Sequence, residues 1–347
     1  MTGARLALAG LGVCVWLTAT AAGRDQVRQP LLHDLLVGQL KFSAAQLAAV
    51  RRGDPVTAGL PAPLPSQIGV AGAVRINTPP TRLVAMVRDI ESLERGKGFI
   101  ATRKISQPPT VADFAAFDLP AEDVEALRRC RPADCDVKLG LGGFDVLRQV
   151  DWDAPDVVAR VRQFSRRLAV EYLARYMAGG NAALAIYRDD DRPMSVADEF
   201  GDMVKTSAVL TSAFPAVARD LLAYPDGRPS SAEDFFYWSL ADFGLKPVFR
   251  LNHVSIHRAR SSDEPAAVIT TKQLYASHYF RTALEVRVLV DDEENPGRGH
   301  YLVVLNLARS DGMTGFFGAL VRSKARGGAT RALQTALTTM KRRAESS

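Results

Sequence analysis

Cysteine is scarce in this chain: three in 347 residues, one of them, Cys14, inside the apolar stretch near the N-terminus. There is no redox C-x-x-C pair, and no second Cys or His pair stands near Cys130 and Cys135 to complete a zinc site. Long apolar runs are also missing after Leu6–Leu17, so no later segment has the roughly 20 residues a spanning helix needs. Charge of one sign is not in large excess. Lys+Arg number 44 against 38 Asp+Glu, spread along the chain without the basic stripe that nucleic acid requires. The nucleophile elbow G-x-S-x-G, H-E-x-x-H and the P-loop are absent. Gly140-Leu-Gly142-Gly143 lacks the strand–turn–helix context of a dinucleotide site and reads as a turn. No cofactor is expected, no catalytic residue is assigned, and no metal site is assigned. Internal repeats and low-complexity tracts are lacking too.

The N-terminus has the layout of a signal peptide over residues 1–22. Arg5 is the positive region, Leu6–Leu17 the apolar region, and Ala19-Thr20-Ala21 the cleavage pattern. Cleavage near residue 21–22 predicts an exported protein, periplasmic or extracellular. Removing the segment deletes one Arg and leaves 43 Lys+Arg against 38 Asp+Glu, or +5. In an oxidising compartment the two remaining cysteines, Cys130 and Cys135, predict one disulfide closing a short loop.

Residues 23–67 read as a helical arm followed by a proline-rich linker. Ser43 with Gln46 is a capping box, and Phe42 with Leu47 a hydrophobic staple. Pro55–Pro65 contains four prolines and reads as extended. Residues 68–105 give strand, helix, strand, with the second strand at Phe99–Ile105. Helical insertions occupy about 106–245; the clearest helix spans 155–178, and the aromatic run Phe235–Phe243 reads as a packed helix face. Two strands follow at 266–275 and 279–290, with Phe280, Thr282, Leu284, Val286, Val288 and Val290 on one face. Arg281, Glu285 and Arg287 fall on the other face, expected to meet water. Tyr301–Leu307 is a further strand. From Met313 the apolar period becomes helical, through Phe317, Val321, Ala325, Ala329, Ala332, Ala336 and Met340.

His253 and His257 stand four apart in a strand, about 13 Å at roughly 3.3 Å per residue, too far to chelate one ion together. His278 falls at a turn and is expected at the surface. Asp189–Asp191 and Asp291–Glu294 lack the spaced oxygens and central glycine of a calcium loop and read as solvated turns.

Strands followed by one long terminal helix, with Gly69–Asn77 and the helical Arg82–Leu93 ahead of them, resemble the START/Bet v 1-like (helix-grip) superfamily over roughly residues 68–343. The chain as a whole also resembles secreted bacterial proteins. The expected fold class is α+β: a mainly antiparallel curved sheet gripped by a long C-terminal helix, with helical insertions and an N-terminal helical arm. That superfamily carries no invariant catalytic motif. The resemblance implies a binding module for an apolar or lipid-like ligand, such as a fatty acid, phospholipid or terpenoid, held without turnover. Leu251, His253, Tyr279, Phe280, Leu284, Val286, Phe317 and Val321 are the expected ligand-binding residues, with His253 or Tyr279 as polar anchor. Phe280, Leu284 and Val286 are expected to approach Phe317 and Val321. The small centre of the helix, Ala325 to Ala332, either brings it down onto the sheet or leaves room for a ligand. The basic helix also implies weak contact with an anionic membrane surface. Two alternatives stay open: an envelope interaction or scaffold protein with a filled core, and a cyclase-like enzyme.

Overall fold

The computed structural model describes residues 31–96, 98–227, 232–259, 264–315 and 317–346. The expected signal peptide over 1–22 lies outside the described residues, as do residues 23–30 of the arm.

Ten strands form in chain order: β1 Val56–Leu60, β2 Gln67–Ile76, β3 Phe99–Ile105, β4 Ile186–Tyr187, β5 Met194–Ser195, β6 Glu233–Ala241, β7 Val248–Arg258, β8 Ala267–Ala276, β9 Phe280–Asp291 and β10 His300–Ser310. β4 and β5 make a separate two-residue ladder. The other eight form one curved antiparallel sheet in the order β1-β2-β10-β9-β8-β7-β6-β3. Thus β6 to β10 meander, the early strand β2 pairs with the last one, and β3 pairs with β6 at the far edge. A helix over Gly318–Glu345 completes the chain. This arrangement is compatible with a helix-grip fold.

Two helices, Pro80–Arg88 and Ile90–Leu93, connect β2 to β3. Pro80 starts the first at the one helical position where its missing N–H costs nothing. The Ser43/Gln46 capping box opens the arm helix Ala44–Arg52, and left-handed Gly53 closes it. Leu35, Leu36, Phe42 and Val50 of the arm are buried against Leu284, Val286 and Val303 of the sheet, so the arm is part of the core.

Both faces of the sheet are covered. One face meets the C-terminal helix: Val70, Val74, Leu289 and Leu302 pack with Leu333, Leu337 and Met340. The opposite face meets the arm and the inserted helices Val157–Gly179, Val196–Lys205 and Pro215–Ala223. Cys130 and Cys135 are joined by a disulfide in the same insertion.

Three expectations change. The aromatic run lies in a strand, β6, not on a helix face. Phe235 and Tyr237 point to one covered face, Phe236 and Trp238 to the other, so the apolar run is continuous and shows no alternation. The proline-rich stretch is not a simple linker, because Val56–Leu60 pairs with β2 as an edge strand, where proline is tolerated around it. His278 is buried, not at the surface; its Nε2 lies 3.1 Å from Asp123 Oδ1 and its Nδ1 2.8 Å from Asp136 O.

Candidate functional site

The expected ligand-binding residues do not come together. Leu284 and Val286 are buried against the arm and inserted helices, on the sheet face away from the C-terminal helix. Leu251 packs on that same side among inserted aromatic residues, and His253 neighbours Tyr176 there. Phe317 and Val321, at the start of the helix, are 69% and 40% exposed. Tyr279 has a positive φ of 58° in the turn before β9, and its hydroxyl accepts from Lys246 N. Phe280 touches Phe243 at one end of the sheet, 5.5 Å between ring centres. The expected approach of Phe280, Leu284 and Val286 to Phe317 and Val321 is therefore corrected. Period-two alternation shows which residues share a face, but not which of two covered faces it is.

The same alternation places the charged residues of β9 on the sheet face that carries the C-terminal helix, which itself lies on β1 and β2. Leu289 faces the C-terminal helix, so Glu285 and Arg287, two and four residues earlier, face the same way. They do not meet open water; the Arg287 side chain is 11% exposed and pairs with Glu285. Beside them stand Tyr237 on β6, Arg250 and Asn252 on β7, and Glu94, which follows directly on the helix Ile90–Leu93. Glu94 accepts from Thr102 Oγ1 at 2.8 Å and from Tyr237 OH at 3.0 Å. Arg250 Nη2 donates to Ser239 Oγ at 2.8 Å and lies 3.8 Å from Glu94 Oε1. Its guanidinium rests against the rings of Phe99 and Phe243 at 5.6 and 5.4 Å.

Electrostatics and hydrogen bonding both leave this wall incomplete. Burial pushes the Glu94 carboxyl above its ordinary pKa, with Arg250 the main opposing influence. Protonating Glu94 leaves its two guanidinium neighbours less neutralised. Arg250 Nε, Arg287 Nε and Nη1, and Asn252 Nδ2 are buried without a hydrogen-bond partner among the described residues. Each such nitrogen costs about 1–3 kcal/mol if nothing meets it.

The second half of the C-terminal helix is held tightly on the sheet. A Cβ on Gly72 of β2 would stand 2.7 Å from Leu337 and 3.1 Å from Leu333, so glycine is what lets the second half sit down on the sheet. Lys341 Nζ and Gln334 Nε2 fasten this half to Arg75 O and Pro55 O, each at 2.7 Å. In the first half, a Cβ at Gly328 meets nothing within 4 Å, and at Gly327 only the end of Arg331. Neither glycine is therefore needed for close approach, and Ala325 and Ala329 of the same half pack against the core. Ile100, Phe243 and Leu245, at the ends of β3 and β6, are exposed, as are Phe317, Leu320 and Val321 where the chain enters the helix.

No protein-family model matches this chain, and no curated protein matches it in sequence. The polar wall was missed in the sequence because Glu94, Arg250 and Arg287 are scattered over 194 positions (287 − 94 + 1). The one signal was a charged face on β9 in a sheet that both arm and helix must cover.

Proposed function

We propose that this protein is an exported, START-like binding protein that holds an amphipathic, lipid-like molecule without turnover. The anionic end of the ligand lies on Arg250, Arg287 and Asn252. Its apolar part runs toward the exposed side chains Phe243 and Leu245 after β6 and Phe317, Leu320 and Val321 at the start of the helix. The observation that carries the proposal is the set of buried guanidinium and amide nitrogens of Arg250, Arg287 and Asn252 without partners among the described residues. Elsewhere the chain satisfies a buried arginine in full: Arg309 is 1% exposed, and its Nε, Nη1 and Nη2 reach Gln67, Glu199 and Asp202. A carboxylate or phosphate would complete the unfilled set in the same way, with charge-assisted bonds worth about 1.5–3 kcal/mol each.

Export is supported by the sequence of residues 1–22 and by the disulfide. Among the described residues, no helix is long and apolar enough to cross a membrane. Arg322, Lys324, Arg326 and Arg331 on the helix fit brief contact with an anionic lipid surface during uptake. Lipid extraction and mass analysis of gently purified protein test the proposal. A stoichiometric anionic lipid that is lost from Arg287→Ala supports it, whereas a ligand that stays bound to Arg287→Ala contradicts it.

A further inference from the structure

A second buried centre lies on the other face of the sheet, and the ligand proposal above makes no use of it. Lys272 on β8 is 2% exposed. Its Nζ is 4.1 Å from the centre of the Phe200 ring, 5.0 Å from that of Tyr176 and 3.4 Å from the Tyr176 hydroxyl, and it donates to Asn181 Oδ1. None of these neighbours is a carboxylate, so burial alone acts on the amine and pushes its pKa well below the ordinary 10.5. The Tyr176 hydroxyl is also 3.0 Å from His253 Nδ1. His253 Nε2 in turn lies 3.3 Å from Ser255 Oγ and 3.5 Å from Asp234 Oδ1. Amine, phenol, imidazole and carboxylate thus follow one another from β8, through the helix Val157–Gly179, to β7 and β6. A cavity of about 20 Å3 among Tyr176, Tyr224, Asp234, His253, Thr270 and Lys272 has room for a water-sized group beside them.

A lysine used only as filler is costly here. Methionine would occupy the space with no ammonium to desolvate and no polar partner to find. What lysine adds is a neutral amine beside a chain of proton carriers.

We propose that Lys272 is a nucleophilic amine that condenses with an aliphatic aldehyde of one or two carbons. The lone pair of Nζ attacks the carbonyl carbon, and the C=O π pair moves onto oxygen. Nitrogen gives up one proton and oxygen gains one, forming a carbinolamine. Loss of that hydroxyl as water leaves the C=N bond. Amine plus aldehyde gives imine plus water, with no oxidant or reductant. Tyr176 is placed to pass the proton as a hydroxyl, because burial holds its pKa well above the ordinary value. His253 is its exchange partner. The small cavity sets the size of the aldehyde.

The test uses the full-length protein at pH 7 with formaldehyde and sodium cyanoborohydride, which reduces the imine to a stable methylamine, followed by peptide mapping. The expected result is one adduct per chain at Lys272, ahead of exposed lysines such as Lys41 and Lys324. Tyr176→Phe should slow it roughly 100-fold with an unchanged circular dichroism spectrum. Adducts spread over the exposed lysines, with the Lys272 peptide unmodified, would overturn the proposal. So would a Tyr176→Phe protein that is labelled at the wild-type rate.

Discussion

The face of the sheet under the C-terminal helix and the face under the inserted helices are built from alternate residues of the same strands. They bury charge in opposite ways. Under the helix, Arg250 and Arg287 have carboxylates beside them yet retain unfilled donors. Under the inserted helices, Lys272 has a phenol, an amide and two rings beside it and no ion-pair partner among the described residues. An arginine keeps its charge at any accessible pH, so an incomplete shell around it calls for an anion. A lysine sheds its charge when desolvated, and what remains is a base and nucleophile. On the readings proposed above, one sheet offers an anion site on one side and an amine on the other.

Arginine removal is expected to separate the two faces most sharply. Arg250→Ala and Arg287→Ala should each weaken binding of an anionic amphiphile about 10- to 100-fold, at roughly 1.5–3 kcal/mol per charge-assisted interaction. Lys272→Met should leave it unchanged; titration calorimetry with a fatty acid reads both effects. Comparable losses from all three variants would erase the distinction.

Two glycines probe how closely the helix is held. Gly72→Ala introduces a Cβ 2.7 Å from Leu337 and should destabilise by about 1–3 kcal/mol through overpacking. Gly328→Ala meets nothing and should stabilise by about 1 kcal/mol through helix propensity. Urea midpoints give both signs, and equal effects would mean that the close contact at Gly72 is not a constraint.

Much of this architecture was legible beforehand. The register of β9, the limits of β3, both capping boxes, the disulfide and the terminal helix all follow from local pattern. The site was not. Leu284 and Val286 alternate as core residues do, yet the pattern is blind to whether arm or terminal helix covers them. Arg287 looked solvent-facing because one polar strand face is normally wet; here a helix pair and a terminal helix lie on that side. Tyr176, His253 and Lys272 meet across 97 positions (272 − 176 + 1), a contact that no spacing rule carries.

The response to pH sharpens the contrast. The Lys272 pKa is depressed in the fold, so the unfolded chain binds that proton more tightly. Its contribution to stability is complete above the ordinary 10.5 and is lost as pH falls through the folded value. Lys272→Met should flatten this rise and be the more stable protein at neutral pH, as denaturation at several pH values will show. Glu94 runs the other way. Its raised pKa favours the protonated carboxyl in the fold, so binding of a permanently anionic alkyl sulfonate should strengthen as pH falls toward it. Glu94→Gln should remove that dependence.

The most direct measurement is native mass spectrometry of the protein purified gently from its native host, wild type beside the Arg250→Ala/Arg287→Ala double variant. The wild type should carry one anionic lipid per chain, and the double variant should fly at its bare mass while keeping its folded charge-state distribution. A wild type that is bare and fails to take up added fatty acid or phospholipid, or a double variant that retains the lipid, would contradict the assignment.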